Sequence, residues 1–206
     1  MGPAGTSGDG GGEREMRLFV ALEIPPAVRD AVAGELGRYR RGVPAARWVR
    51  PEAWHVTLAF LGPVGEGAVT DLETALEPVF GGFREFELRL SAGGSFPPRR
   101  PARVLWLGLE SEPQGALEAL QAEVATALVE AGFGLDEKPF HAHLTLARCN
   151  PPWPRGATER FAQAASQPPA ERFAVRRGVL FESHLGPDGA RYEIRALFPM
   201  AEETRP

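Results

Sequence analysis

The sequence predicts an α+β fold of two pseudo-equivalent lobes, each contributing one strand to a shared cleft. Two observations predict it. Strand-like apolar runs and helical stretches alternate along the chain in an order that occurs twice: Leu18-Phe19-Val20-Ala21-Leu22-Glu23 resembles Leu105-Trp106-Leu107-Gly108-Leu109-Glu110, and a proline, a helical stretch and a strand follow each. The offsets also match. Glu23 to His55 is 32 residues and Glu110 to His143 is 33, and the strands reached open with HVTLA at 55–59 and HLTLA at 143–147.

Each element has a local reason. Residues 1–15 hold six glycines and, beyond Met1, no bulky apolar side chain, so they have little to bury and read as a disordered leader. One domain over 16–199 and a C-terminal tail over 200–206 complete the expected organisation. Arg17 to Ile24 is a β-rich apolar run stopped by Pro25-Pro26. A helix over 26–41 follows from Val28, Val32, Leu36 and Tyr39 at helical spacing. Next come a strand at 54–61, a helix near 67–80, and strands near 83–92 and 103–110. A helix over 114–131, a strand at 140–148 and a short helix near 157–166 follow. Two last strands near 172–184 and 190–198 are joined by the turn residues Gly186-Pro187-Asp188-Gly189.

Composition excludes several classes. The 206 residues, 43% hydrophobic and 24% charged, suffice for a real core. No apolar run of about 18 residues is present, and no basic segment leads into an apolar one, so a cytoplasmic protein without a membrane partner is expected. Cys149 is the only cysteine, which excludes an intramolecular disulfide and any multi-cysteine metal site; it reads as a small buried apolar residue. The net charge of −4 argues against a wholly basic nucleic-acid coat. Two acid-free clusters remain candidates for contacts to an RNA tail: Arg38, Arg40, Arg41, Arg47 and Arg50, and Arg99, Arg100 and Arg103. A solvated charged face is the alternative for each.

The chemistry lies in the repeated strand. Alternation puts His55, Thr57 and Ala59 on one face and Trp54, Val56, Leu58 and Phe60 on the other; His143, Thr145 and Ala147 repeat the first set, with Leu144 and Leu146 packed away. Two imidazoles near neutrality can divide a phosphodiester hydrolysis, one taking a proton from the attacking hydroxyl and one giving a proton to the leaving oxygen. Thr57 and Thr145 can donate to the non-bridging phosphate oxygens, so no metal is required. A single His-x-Thr would more often be structural; the matched pair favours catalysis. His141 has Ala53 as its counterpart and reads as structural, with lining the cleft or contacting substrate as the alternative.

With these motifs in place, the sequence resembles the 2H phosphoesterase superfamily, and within it the bacterial and archaeal RNA 2′,3′-cyclic phosphodiesterases, also called 2′-5′ RNA ligases. The resemblance spans 16–199, through MRLFVALEIP, RWVRPEAWHVTLAFLG, SFPPRRPARVLWLGLE, PFHAHLTLAR and LFESHLGPDGARYEIRALFPM. It implies a bilobal α+β fold with antiparallel sheets around a central cleft and helices outside. The implied activity is hydrolysis of an RNA 2′,3′-cyclic phosphate end to a 2′-phosphate without metal or cofactor, in some members with ATP-independent 2′-5′ joining; separately, a monomer is expected. By the same resemblance His55 is the proton donor and His143 the acceptor, Arg148 lies near the phosphate, and Arg47 and Trp48 are candidate substrate contacts, Trp48 equally a core residue. Nothing in the near-symmetric motif pair distinguishes the two histidines' roles. Three alternatives stay open: the same chemistry on 2′-5′ oligonucleotides or a small cyclic nucleotide, a non-catalytic RNA-end binder, and zinc held by His55, His141 and His143.

Overall fold

The computed structural model describes residues 14–98, 100–135, 138–186 and 189–202. Leu18 to Leu22 of β1 (Glu15–Glu23) form a continuous apolar run buried on both faces, and Pro25-Pro26 ends the strand, with Pro26 opening α1 (Pro26–Tyr39). The chain continues through β2 (Arg47–Trp48), a 3-10 turn at Pro51–Ala53, β3 (His55–Gly65), α2 (Ala68–Gly82) and β4 (Phe86–Phe96). The second passage is β5 (Ala102–Glu112), α3 (Ala116–Glu130), β6 (His143–Trp153) and α4 (Arg155–Ala164). It closes with β7 (Arg172–Val175), β8 (Arg177–Gly186) and β9 (Gly189–Pro199). The single strand expected over 172–184 is divided at Arg176, because β7 pairs with β4 while β8 pairs with β1 and β9.

The duplication is visible in the strand order, β7-β4-β5-β6-β3-β1-β8-β9, with β2 added on β6. One lobe is β3-β1-β8-β9 and the other β6-β5-β4-β7, all antiparallel. They meet where β3 touches β6 through one register pair, Val56 with Leu144. The two expected sheets are therefore halves of one nine-stranded sheet.

The helices cover one face of this sheet with the residues their periodicity supplies: Val28 and Val32 of α1, Leu72, Leu76 and Phe80 of α2, Leu120, Val124 and Leu128 of α3, and Phe161 of α4, all buried. Gly178 of β8 lies so close under Phe80 that a Cβ there would stand 2.1 Å from the ring. Burial of a ring of this size is worth about 1.5–3 kcal/mol, so a side chain at Gly178 would displace α2 from the sheet.

Residues 1–13 of the expected leader lie outside the described residues, and its last two positions are built into the fold. Glu15 opens β1 opposite Gly65, and Arg14 donates to the Glu182 carboxylate at 2.8 Å. Of the expected tail, Met200 is buried and Ala201 bridges to Arg84. Arg99 and two residues of the β8–β9 turn, Pro187 and Asp188, lie outside the described residues; Gly186 and Gly189 pair across that turn.

Candidate active site

His55 and His143 begin β3 and β6, and the seam between the lobes sets them side by side. Carried one residue either way, the antiparallel register of Val56 with Leu144 puts His55 across from Thr145 and Thr57 across from His143. By alternation the two histidines and two threonines share the face opposite the buried Val56, Leu58, Leu144 and Leu146.

Both imidazoles are fixed in the same way. Nδ1 of His55 bonds the Ala53 carbonyl at 2.9 Å, and Nδ1 of His143 bonds the His141 carbonyl at 2.7 Å. A carbonyl can only accept, so each Nδ1 carries its proton and each Nε2 is left available to exchange one. His141 thus serves His143 through its backbone. Its exposed ring packs edge-on against Trp106, centroids 4.6 Å apart.

Aromatic rings close around each imidazole. Phe19 lies 4.8 Å from His55 and Tyr192 meets it edge-on at 5.0 Å; Phe96 meets His143 edge-on at 5.1 Å, with Trp106 at 6.4 Å. Trp106, the repeat counterpart of Phe19, lies over Gly94, where a Cβ would stand 2.4 Å from the indole. Burial pushes His55 down to about 4, against its Ala53 hydrogen bond, and the His143 and Arg148 charges lower it further. His143 is lowered by burial too, with His141 and Arg148 adding to the effect against its backbone bond. Both are neutral at pH 7 in the ligand-free site, and a bound phosphate anion would raise both.

Each of the two strands has two register shifts against its partner, and the one nearer the histidine falls at a matched point in both and shapes the site. In β3 the partners of Val20 and Ala21 are Ala59 and Thr57, so Leu58 is bulged. In β6 the partners of Leu105 and Trp106 are Ala147 and Thr145, so Leu146 is bulged. Each bulge reverses the alternation beyond it. Ala59 and Ala147, expected beside the histidines, are instead in the main core, while Phe60 turns out to face Phe19 and Arg148 comes within electrostatic reach of His55, His143 and Tyr192. The bulged carbonyls are satisfied from outside the ladder, Leu58 by Gln121 Nε2 at 3.3 Å and Leu146 by the Val49 N–H at 2.8 Å.

The remaining candidates separate. Arg47 pairs across β2–β6 with Arg148, and its guanidinium lies 3.2 Å from where a Cβ on Gly189 would be, at the β8–β9 turn. Trp48 packs partly buried against the core under the Arg40 guanidinium, 4.9 Å from its ring centre. Of the first arginine cluster, Arg38 is engaged by Glu35 and by the Gln167 carbonyl, and Arg40 by Trp48. Arg47 and Arg50 of that cluster reach Gly189 at the β8–β9 turn. Among the described residues, the one trio of potential metal-ligand side chains within 4.8 Å of one another is Glu182, His184 and Glu193. His55, His141 and His143 do not form such a set. Tyr192 was not legible as a site residue, since nothing in a C-terminal strand marks it until the sheet closes beside His55. Phe19 and Trp106 did carry a signal, as the aromatic pair of the repeated hexapeptide.

Comparison with known proteins agrees with this fold. The sequence pattern of the 2'-5' RNA ligase superfamily matches residues 28–187. A protein of Archaeoglobus fulgidus named RNA 2',3'-cyclic phosphodiesterase is 34% identical over 183 residues, covering 89% of this chain and 99% of its own. One of the same name from Geobacillus stearothermophilus is 32% identical over 188 residues, 91% of this chain and 58% of its own, so this chain spans little more than half of that relative. Among solved structures, a Thermus thermophilus protein superposes with a TM-score of 0.76 at 27% identity, over 91% of this chain and all of the other. Escherichia coli LigT complexed with 3'-AMP gives 0.69 at 26% identity, over 91% of this chain and 99% of its own. The repeated strands, the paired histidines and these matches together place the chain in the 2'-5' RNA ligase superfamily of two-histidine phosphoesterases.

Proposed function

We propose that the chain hydrolyses the 2′,3′-cyclic phosphate at an RNA end to a 2′-phosphate, with His55 as proton donor, His143 as proton acceptor and no metal or cofactor. The observation that carries it is the matched pair of imidazoles, each with Nδ1 held on the carbonyl two residues back and, among the described residues, Nε2 free. The relatives' names give the substrate class. In the reaction, Nε2 of His143 takes a proton from water as its oxygen bonds to phosphorus, the P–O3′ bond breaks, and protonated Nε2 of His55 delivers its proton to O3′. Thr57, Thr145 and Arg148 hold the non-bridging oxygens, whose charge also favours the imidazolium that His55 must become. A 5′-hydroxyl in the place of water would give a 2′-5′ linkage through the same proton transfers, the strained cyclic ester supplying the driving force without ATP. The enzyme would work as a cytoplasmic monomer.

The decisive experiment incubates the protein with EDTA and an RNA ending in a 2′,3′-cyclic phosphate and identifies the hydroxyl that keeps the phosphate. A 2′-phosphate is expected at an undiminished rate. A 3′-phosphate, or loss of activity with EDTA and recovery with zinc, would overturn the assignment.

A further inference from the structure

The repeat generates two grooves, one lined by His55 and one lined by His141, two residues before His143. The groove beside His55 is about 1070 Å³ and runs past Glu23, Ala53 and Trp54 to the start of α1 at Pro25, Pro26 and Arg29. Its counterpart beside His141 and Ala142 is about 310 Å³ and runs past Glu110 to Glu118 in the first turn of α3. Three parts of the walls correspond in the repeat: Glu23 with Glu110, Ala53 with His141, and the first turn of α1 with that of α3.

Their charge is not related. Five arginines and two glutamates line the larger groove, and Glu23 is already engaged by Arg177 at 2.6 Å. Arg29, Arg50 and Arg191 line it with no carboxylate partner among the described residues. The first turn of α1 has no acid and no side-chain cap. Among the described residues, the smaller groove has Glu110, itself paired with Arg89, and Glu118, and neither arginine nor lysine. Guanidinium groups left unpaired around one groove and absent from its twin mark a surface built for anions.

We propose that the groove leading from His55 is the track for the RNA chain on the 5′ side of the reacting ribose, with Arg29, Arg50 and Arg191 taking backbone phosphates. The proposal rests on the RNA-end phosphodiesterase function proposed above and extends it to the polarity of substrate binding. The chain continues 5′ from the same ribose that carries the leaving O3′, and attacking and leaving oxygens lie on opposite sides of phosphorus. A chain seated in the arginine groove therefore puts O3′ on the His55 side and water on the His143 side. The charge difference between the twin grooves, rather than the histidines themselves, breaks the symmetry of the two motifs.

The test compares wild type with an Arg29→Gln, Arg50→Gln double variant on a nucleoside 2′,3′-cyclic phosphate and on an oligonucleotide ending in one. For the oligonucleotide, kcat/KM is expected to fall about tenfold or more relative to that for the mononucleotide, and its log–log salt slope to shrink by about one. Glu118→Gln in the twin groove should leave the oligonucleotide kinetics unchanged. An unaltered ratio of the two substrates in the double variant would overturn the track. Should wild type turn over neither substrate, the proposed reaction fails, and the track is judged by fluorescence anisotropy with an oligonucleotide ending in a 2′-phosphate. Weaker binding by the double variant supports the track, and equal binding refutes it.

Discussion

Phe60 and Arg148 stand at the same place in the two lobes, five residues beyond His55 and His143, and each is turned toward the cleft by a bulged leucine. The same backbone device thus presents a hydrophobic ring on one side and a guanidinium on the other. The arginine is the residue whose charge reaches both imidazoles.

Arg148→Ala is expected to slow turnover of mononucleotide and oligonucleotide cyclic phosphates alike, by about 10²–10³, the usual cost of losing a preorganised charge on a reacting oxyanion. Arg148→Lys should recover part of the rate, and Phe60→Ala should cost far less. Steady-state kinetics on both substrates checks this. A loss confined to the oligonucleotide would move Arg148 from the reacting phosphate to the RNA chain.

Arg14 gives a stability prediction. Its partner Glu182 is 3% exposed and also lies 3.5 Å from Arg195, so the carboxylate needs its cations. Because the Arg14 side is open to solvent, Arg14→Ala should cost only about 1–2 kcal/mol in denaturant unfolding. Deletion through residue 13 should cost nothing, while deletion through Glu15 should cost at least as much as the point substitution. A neutral Arg14→Ala would show that Arg195 and His184 suffice.

The half-buried, desolvated His55 imidazole sets a pH dependence of folding. His55 titrates at about 4 in the folded chain and near 6.5 unfolded, so between those values the unfolded state binds more protons. Stability is then present above about pH 6.5 and falls as pH drops toward 4, by up to about 3 kcal/mol from this group. His55→Asn should flatten that decline, and urea unfolding at a series of pH values will measure it. An equal decline in both proteins would contradict the burial of His55 as a neutral group.

Much of this was legible in the sequence, and what was not has a physical cause. The matched offsets ending on His55 and His143 predicted two equivalent lobes, and that is how the sheet is built. Strict alternation placed Ala59 and Ala147 beside the histidines and gave no physical reason for Arg148 to face them, since a bulge shifts register without a residue type that marks it. β2 escaped because a two-residue strand has no periodicity, yet it borders the Leu146 bulge. The arginine clusters were read along the chain, whereas unpaired guanidinium groups gather in space: Arg29 and Arg191 belong to neither run but share a groove with Arg50.

The last prediction concerns the two histidines themselves. General acid or base assistance is worth about 10²–10⁴ in rate, so His55→Ala and His143→Ala should each lose that much turnover while still binding an oligonucleotide. One imidazole must be charged and the other neutral, which gives a bell-shaped pH profile. The free enzyme holds both pKa values down, so the bell for kcat/KM should lie on the acid side of neutrality. Bound phosphate anion stabilises imidazolium and raises both values, so the bell for kcat should lie at higher pH. Each His→Ala variant should lose one limb, His143→Ala the acidic limb that belongs to the base and His55→Ala the alkaline limb that belongs to the acid. Thr57→Ala and Thr145→Ala should lower the maximum and keep both limbs, since a hydroxyl donates to the phosphate without titrating. Loss of the opposite limbs would exchange the two roles and, with them, the direction in which the RNA chain enters the cleft.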